Sequence, residues 1–402
     1  MLFLLILQVT CIMRRFYIII LFIVSVLLTC RASESTDSMA VGEASPCDTV
    51  PSKKGFISKI IGYFNESNKP RTDKAFDFSI IGGPHYSSDT KFGVGLVAAG
   101  LYKTDRSDTI LPQSDVSVYF DATTSMFFKL GIEGNHIFPK DRARIYYDVY
   151  FSSVNSKFWG IGYDRNVDNA NESDYKYLNS QALASYVWKL APSLYLGPMV
   201  AFDYINGRKF AKPWLLDGQA ERTFNLGLGF TLQYDSRDFL KNASRGVFFR
   251  LDQRFNPRFL LNKYAFSLTE LTLATYKEVW KGGILAFRFH SRLTYGNTPW
   301  GLMSTLGGSD NMRGYYEGRY RDKSSADVCL ELRQHVWRRN GVVAWVGAGT
   351  VFSKFGDLRW REVLPNYGIG YRWEFKKKVN VRLDLGFGRH QMGFIFNINE
   401  AF

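Results

Sequence analysis

From Phe76 onward the chain changes polarity at every second residue, and this alternation commits it to strands. Phe224, Leu226, Leu228, Phe230, Leu232 and Tyr234 alternate with Thr223, Asn225, Gly227, Gly229, Thr231, Gln233 and Asp235. Leu285, Phe287, Phe289 and Leu293 alternate with Arg288, His290 and Arg292. Val328, Leu330, Leu332 and Val336 alternate with Asp327, Glu331, Arg333 and His335, and Val381, Leu383, Leu385 and Phe387 with Arg382, Asp384 and His390. Successive side chains of a strand point to opposite faces, so each segment has one oily and one charged side. A soluble sandwich would show the same alternation. These segments are long for a sandwich, and they match strands that cross a bilayer at a tilt. Large aromatics near their ends suit an interfacial girdle, with the charged side lining water.

Sixteen such segments lie near 76–88, 91–103, 114–123, 125–137, 142–154, 177–191, 194–206, 222–235, 244–256, 264–280, 282–295, 324–338, 341–353, 365–375, 378–388 and 391–402. The expected fold is all-β, a single transmembrane antiparallel β-barrel of about sixteen strands, because closure removes edges that hydrocarbon does not tolerate. With both termini on the periplasmic side, the two longest connections, 155–176 and 296–323, fall outside the cell.

Composition agrees. Aromatics make up 16% of the chain, yet mean hydropathy is −0.16, so apolar residues are spread along strands rather than gathered in blocks. Past the N-terminus there is no apolar run of the ~18 residues that a spanning helix needs. The net charge of +14 favours anionic head groups and lipopolysaccharide phosphates. No basic cluster sits beside a nucleic-acid-reading motif, so nucleic acid is excluded as a partner. Four cysteines, Cys11, Cys30, Cys47 and Cys329, show no CxxC spacing, which argues against a zinc site or a disulfide framework; one bridge between Cys47 and Cys329 stays open. No metal, cofactor or catalytic residue is expected.

Residues 1–32 read as a cleaved signal, with Met13-Arg14-Arg15 as basic start, Phe16 to Leu28 as apolar stretch, and Cys30 and Ala32 at the cleavage site. Met13 is an alternative start. Leu27-Leu28-Thr29-Cys30 also resembles a lipoprotein cleavage box, with Thr29 where a smaller residue is usual. Residues 33–75 form a periplasmic linker, in which Phe56, Ile57, Ile60, Ile61 and Phe64 fall at helical spacing among Lys53, Lys54 and Lys59. An amphipathic helix at the membrane and a partly ordered leader are both open readings of it. The barrel takes 76–402.

Between the eleventh and twelfth segments runs Leu306-Gly307-Gly308-Ser309-Asp310-Asn311-Met312-Arg313-Gly314-Tyr315-Tyr316-Glu317-Gly318. Its glycines allow a tight fold-back, and an Arg drawn into the lumen must find an acceptor. This loop resembles the sixth extracellular loop of the BamA/TamA family of outer-membrane assembly and translocation barrels. The family tetrad is matched by Met312, Arg313, Gly314 and Tyr315. The resemblance implies Glu331, on the twelfth strand, as the lumenal partner of Arg313. The family places a further Asp where this chain has Gly347, so one carboxylate is expected for Arg313. Tyr234-Asp235-Ser236-Arg237-Asp238 and Ser244-Arg245-Gly246 match another family pattern, with Ala243 where Pro is usual. In the last segment Phe394, Phe396, Ile398 and Phe402 share one face after Gly393, and this resembles the C-terminal signal read by the outer-membrane assembly machinery. The family's periplasmic POTRA domains do not fit between the signal and the first strand.

The resemblance implies a barrel of the cell outer membrane that assists insertion or translocation of proteins or lipids, with the first and last strands meeting at a weak seam. Partners would be outer-membrane lipids, lipopolysaccharide, the assembly machinery and a periplasmic protein doing the work of POTRA domains. The alternative is a passive anion-preferring pore lined by Arg288, Arg292, Arg333 and Arg382. A third class, an enzyme using His85 and Ser87 on one strand face, lacks an evident orienting carboxylate.

Overall fold

The computed structural model describes residues 76–402 apart from 88–89, 106, 109–110, 241, 377–378 and 399. The expected signal, linker and amphipathic helix lie outside the described residues. Sixteen strands close into one antiparallel barrel, each beside its chain neighbour and the last beside the first. They are β1 (Phe76–Ser87), β2 (Lys91–Tyr102), β3 (Ser114–Thr123), β4 (Phe128–Ile137), β5 (Ala143–Phe158), β6 (Ser173–Ala191), β7 (Leu194–Arg208) and β8 (Arg222–Asp235). The second half is β9 (Gly246–Asn256), β10 (Phe266–Trp280), β11 (Gly283–Gly296), β12 (Ser324–Trp337), β13 (Asn340–Phe352), β14 (Leu364–Lys376), β15 (Val379–Gly388) and β16 (Gln391–Ile398). Among the described residues no helix is long and apolar enough to cross a membrane.

The barrel is inside-out relative to a soluble fold. On β8, Thr223, Asn225, Thr231 and Gln233 are buried while Phe224, Leu228, Phe230 and Tyr234 are exposed. On β12, Val328 and Leu330 are exposed while Asp327, Glu331 and Arg333 are buried. Oily residues face lipid, and the charged rows meet loops folded into the lumen.

The two ends differ. At the turn end, where β1 starts and β16 stops, exposed Trp188, Trp280, Trp337 and Trp373 sit near the ends of β6, β10, β12 and β14. Indoles favour the membrane–water boundary, so these four mark a girdle. Register slips adjoin all four, at Lys189/Ala191, Glu278/Trp280, His335/Trp337 and Glu374/Lys376, bending the hairpins as they turn. At the loop end, Phe158, Tyr175, Phe210, Leu215, Trp300 and Leu302 pack into a buried cluster that roofs one side.

Three segment ends depart furthest from the expected bounds. β5 and β6 continue to Phe158 and Ser173, beyond the expected 154 and 177, because their tips pack against that roof and polarity stops reporting a lipid face. β16 ends at Ile398, not at residue 402.

A charged knot secures the β4–β5 turn. The Asp141 carboxylate accepts from Arg144 Nε (2.7 Å) and Nη2 (3.0 Å), from Lys189 Nζ (3.2 Å) and from the Tyr195 hydroxyl. Burial alone would raise its pKa, but these partners outweigh burial and hold it below the usual Asp value. A depressed pKa stabilises the fold above the ordinary carboxylate range, and that contribution is lost as pH falls through the folded value. Asp141→Asn is expected to cost about 1–3 kcal/mol at neutral pH and to flatten the acid limb of stability. Urea midpoints of the gel-shifted folded form between pH 7 and pH 3 check this. A variant with the same acid limb as the parent would contradict it.

Candidate functional site

Loop six, between β11 and β12, starts and ends as a two-stranded ribbon, Ser304–Leu306 against Tyr320–Asp322. Beyond the ribbon the chain turns into the lumen. Gly307 (φ 104°), Gly308 (φ 108°) and Gly314 (φ 107°) hold left-handed backbone that side-chain-bearing residues rarely adopt. The fold-back is closed by Gly308 N–H to Tyr315 O (3.2 Å) and Tyr315 N–H to Met312 O (3.1 Å). Met312 and Tyr315 then pack with Leu306, Tyr320, Val351 and Leu364.

This packing delivers Arg313 to the barrel interior, where it is 1% exposed. Its Nη2 donates to Glu331, and its Nη1 to Asp384 Oδ2 at 2.8 Å. The guanidinium lies 3.6 Å over the Trp345 ring. The expectation of a single carboxylate is therefore corrected. Gly347 carries no acid, but Asp384, two strands further on β15, supplies the second one. Spacing within one hairpin could not find Asp384, because only barrel closure brings β15 beside the loop tip. The available signal was a lone acid on the lumenal face of β15. Burying an Arg is tolerable only when its planar fork is fully used, and here two carboxylates and an aromatic face use it.

The backbone of the tip rests on the last two strands. An added Cβ at Gly386 would come 2.3 Å from Arg313 O, at Gly388 2.3 Å from the Tyr315 ring, and at Gly393 3.0 Å from Gly314 Cα. Gly386 and Gly393 are register partners, so together these glycines form a bare saddle under loop six. Tyr315 Oη donates to Pro365 O (2.6 Å) and accepts from Arg389 N–H (2.6 Å), while Tyr316 N–H reaches Gln391 Oε1 (3.0 Å). Gly386→Ala is expected to lift the tip at a cost of about 1–3 kcal/mol, the usual range for overpacking. Faster protease cleavage within 307–318 would register it, and an unchanged rate would refute it.

The same two strands lead to the closing seam. Among the described residues, β1 and β16 register only Tyr86 with Phe396 and Ser87 with Ile395. Other neighbours register between eight pairs, as in β3–β4, and sixteen, as in β5–β6. Pro84 lies on β1 and has no N–H to give to a ladder. A lumenal cavity of about 1560 Å³ is lined by Gly83, His85, Ile395 and Asn397 beside the seam, and by Gly314 and Tyr315 of loop six.

Two alternatives change in this light. Each of the four lumenal arginines has an acid: Arg288 with Asp327 (2.8 Å), Arg292 with Glu270 (3.1 Å), Arg333 with Glu331 (2.7 Å) and Arg382 with Asp310 (2.9 Å). A wall neutralised this way offers little anion preference. His85 Nε2 does have a carboxylate, Asp121 Oδ1 at 2.9 Å, which sequence spacing did not reveal. The side chain of Ser87 lies outside the described residues.

Residues 114–402 match the Omp85 superfamily domain. The chain belongs to the Omp85 superfamily. Its fold is similar to that of BamA from Haemophilus ducreyi lacking POTRA domains 1–3, with TM-score 0.51, 11% identity, and coverage of 79% of this chain and 69% of that one. It is also similar to CdiB from Acinetobacter baumannii, with TM-score 0.53, 11% identity, and coverage of 81% and 60%. For CdiB from Escherichia coli the values are 0.53, 10%, 85% and 70%. The chain thus spans three fifths of the A. baumannii protein. No curated protein sequence matches it.

In this Omp85 barrel the β8–β9 turn is a built element. Arg237 grips Asp235 with two arms (2.9 and 2.8 Å) and donates to Leu240 O (3.0 Å), while Asp238 Oδ1 accepts from Ser244 and Arg245 N–H. Ala243, where Pro is usual in the pattern this turn resembles, is buried beside Ala274, Tyr276 and Ala286. At the other end of the chain, Phe394 and Phe396 lie on β16 opposite inward-facing Gly393 and Ile395. Phe402 corrects the expectation that it shares their face. The chain leaves the sheet after Ile398, and Phe402 turns into the lumen against Tyr276, Arg288 and Arg333.

Proposed function

We propose that this Omp85 barrel sits in the outer membrane and assists insertion or translocation of proteins or lipids by opening between β1 and β16. The observation that carries this reading is the seam, with two registered pairs against eight or more elsewhere among the described residues. Each net hydrogen bond stabilises by only ~1 kcal/mol, so this joint opens far more readily than any other. A strand edge so released is a template for another strand. The lumenal cavity beside it gives an entering segment room to lie. Loop six, seated on β15 and β16, is placed to hold the joint closed or release it.

The barrel is read as non-enzymatic: its most deeply buried carboxylates, Glu331 and Asp384, are spent on arginines rather than arranged around a nucleophile. Partners follow from chemistry. The chain's charge of +14 suits lipopolysaccharide and other anionic lipids. Phe394 and Phe396 on β16, with Phe402, would present the signal for its own assembly. A periplasmic protein would deliver substrates.

Purified barrel in lipid vesicles should speed the folding of an added, urea-unfolded outer-membrane barrel, scored by gel shift and protease protection. Folding no faster than in empty vesicles would sink the proposal. A steady open conductance, together with no effect on client folding, would favour the passive pore.

A further inference from the structure

The residues that follow β16 do not trail into solvent. Glu400 Oε2 accepts from Arg372 Nε at 2.7 Å and lies 4.0 Å from Arg333 Nε, and its Oε1 accepts from Asn380 Nδ2 at 2.6 Å. The Phe402 main-chain oxygen accepts from Arg333 Nη2 at 2.8 Å, and its ring lies 5.2 Å from the guanidiniums of both Arg333 and Arg288. These contacts complete a circuit. Arg313 of loop six meets Glu331, which meets Arg333 (2.7 Å), which faces Glu400. Glu400 meets Arg372, which meets Asp384 (2.5 Å), which returns to Arg313 (2.8 Å). Three arginines and three carboxylates alternate around one buried ring, contributed by loop six, β12, β14, β15 and the segment after β16.

We propose that Glu400, with Phe402 seated on the same Arg333, is a positioning residue that latches β16 to the loop-six anchor. Seam and loop then switch together. The inference rests on the reading of the β1–β16 seam as the working joint. Swinging β16 outward must draw Glu400 away from Arg372 and Arg333, leaving each buried cation with one carboxylate, Asp384 and Glu331 respectively, instead of two. Releasing Arg313 likewise leaves Glu331 and Asp384 each one cationic partner short. Because removing one member leaves two buried charges half-compensated, and that is unfavourable, a break at one point of the ring loosens its neighbours. Each partner of Glu400 also bonds a carboxylate that holds Arg313, so loss at one point weakens the other.

The test needs no client, so its failure and failure of the insertion reading are separable. Full-length barrel in vesicles carries a single added cysteine, either Ile395→Cys at the seam or Ser309→Cys on loop six, and is labelled with a water-soluble maleimide. The parent chain, whose Cys329 is buried, gives the background. Glu400→Gln is expected to raise labelling at both sites by roughly tenfold, since two buried arginines lose their shared acid. Adding Arg313→Ala should raise it no further. Glu172→Gln, which breaks an exposed pair with Lys157, should change neither site. A rise at only one site, or at neither, overturns the latch, as does full additivity with Arg313→Ala. If Glu400→Gln does not assemble, Arg372→Lys keeps the charge, loses the second arm of the fork, and is read at the same two sites with the same outcomes.

Discussion

A disulfide joining the substitutions Tyr86→Cys and Phe396→Cys is expected to reduce client insertion to the level of empty vesicles, and reduction to restore it. The two positions are register partners across the seam. Opposed residues of antiparallel strands have Cα atoms roughly 4.5–5.5 Å apart, within the span a disulfide accepts. The expected effect is large because of the contrast in strength. Two registered pairs amount to a few hydrogen bonds of ~1 kcal/mol each, a barrier that thermal motion crosses, whereas a covalent bond does not yield on that scale. A control bridge between the partners Leu232→Cys and Leu251→Cys, across β8 and β9, should leave insertion unchanged, since that joint has no opening role. Rates measured with and without reductant, with bridge formation verified on a gel, decide the matter. Full activity in a completely bridged barrel would show that the seam does not need to open.

The barrel itself was legible because lipid outside and water inside enforce one rule at every strand. Parity alone located β8, β12 and β15 with their lumenal faces. What parity could not reach was anything set by closure. Asp384 and Glu331 lie on strands that local spacing does not relate, and they become neighbours around Arg313 only in the closed barrel. The seam's short register was likewise beyond parity, and only the family resemblance pointed to a weak joint there, because it depends on the stagger of two strands at opposite ends of the sequence.

Phe402 shows a different failure. Parity puts residues 394, 396, 398, 400 and 402 on one face, and the aromatics among them suggested a strand running to 402. Glu400 was the missed signal. A carboxylate in that row would face lipid if the strand continued, and membranes exact a high cost for that. The chain instead turns inward after Ile398, where Arg372 and Arg333 receive the charge. Burial alone would raise the Glu400 pKa, but those two arginines outweigh it and hold its carboxyl below the usual range.

Arg313→Ala is expected to free loop six from the lumen without preventing export or barrel closure. Glu331 and Asp384 are both 0% exposed, and removing the Arg leaves each short of one cationic partner. Breaking a buried pair in this way costs about 3–5 kcal/mol. The low end of that range applies, because Glu331 keeps Arg333 and Asp384 keeps Arg372 at 2.5 Å. The strand ladder does not depend on the tip, so the barrel should still assemble. Three changes should appear together: an altered gel mobility of the unheated form, protease cleavage within 307–318, and a lower urea midpoint. Arg313→Lys should recover part of the loss, since an ammonium restores charge but cannot fork between two carboxylates while stacking on Trp345. Glu331→Gln and Asp384→Asn should each loosen the loop less than Arg313→Ala, because either leaves the guanidinium one charged partner. An Arg313→Ala barrel with parental mobility and an equally resistant loop would mean that the glycine saddle and Tyr315, not the ion pairs, hold loop six in place.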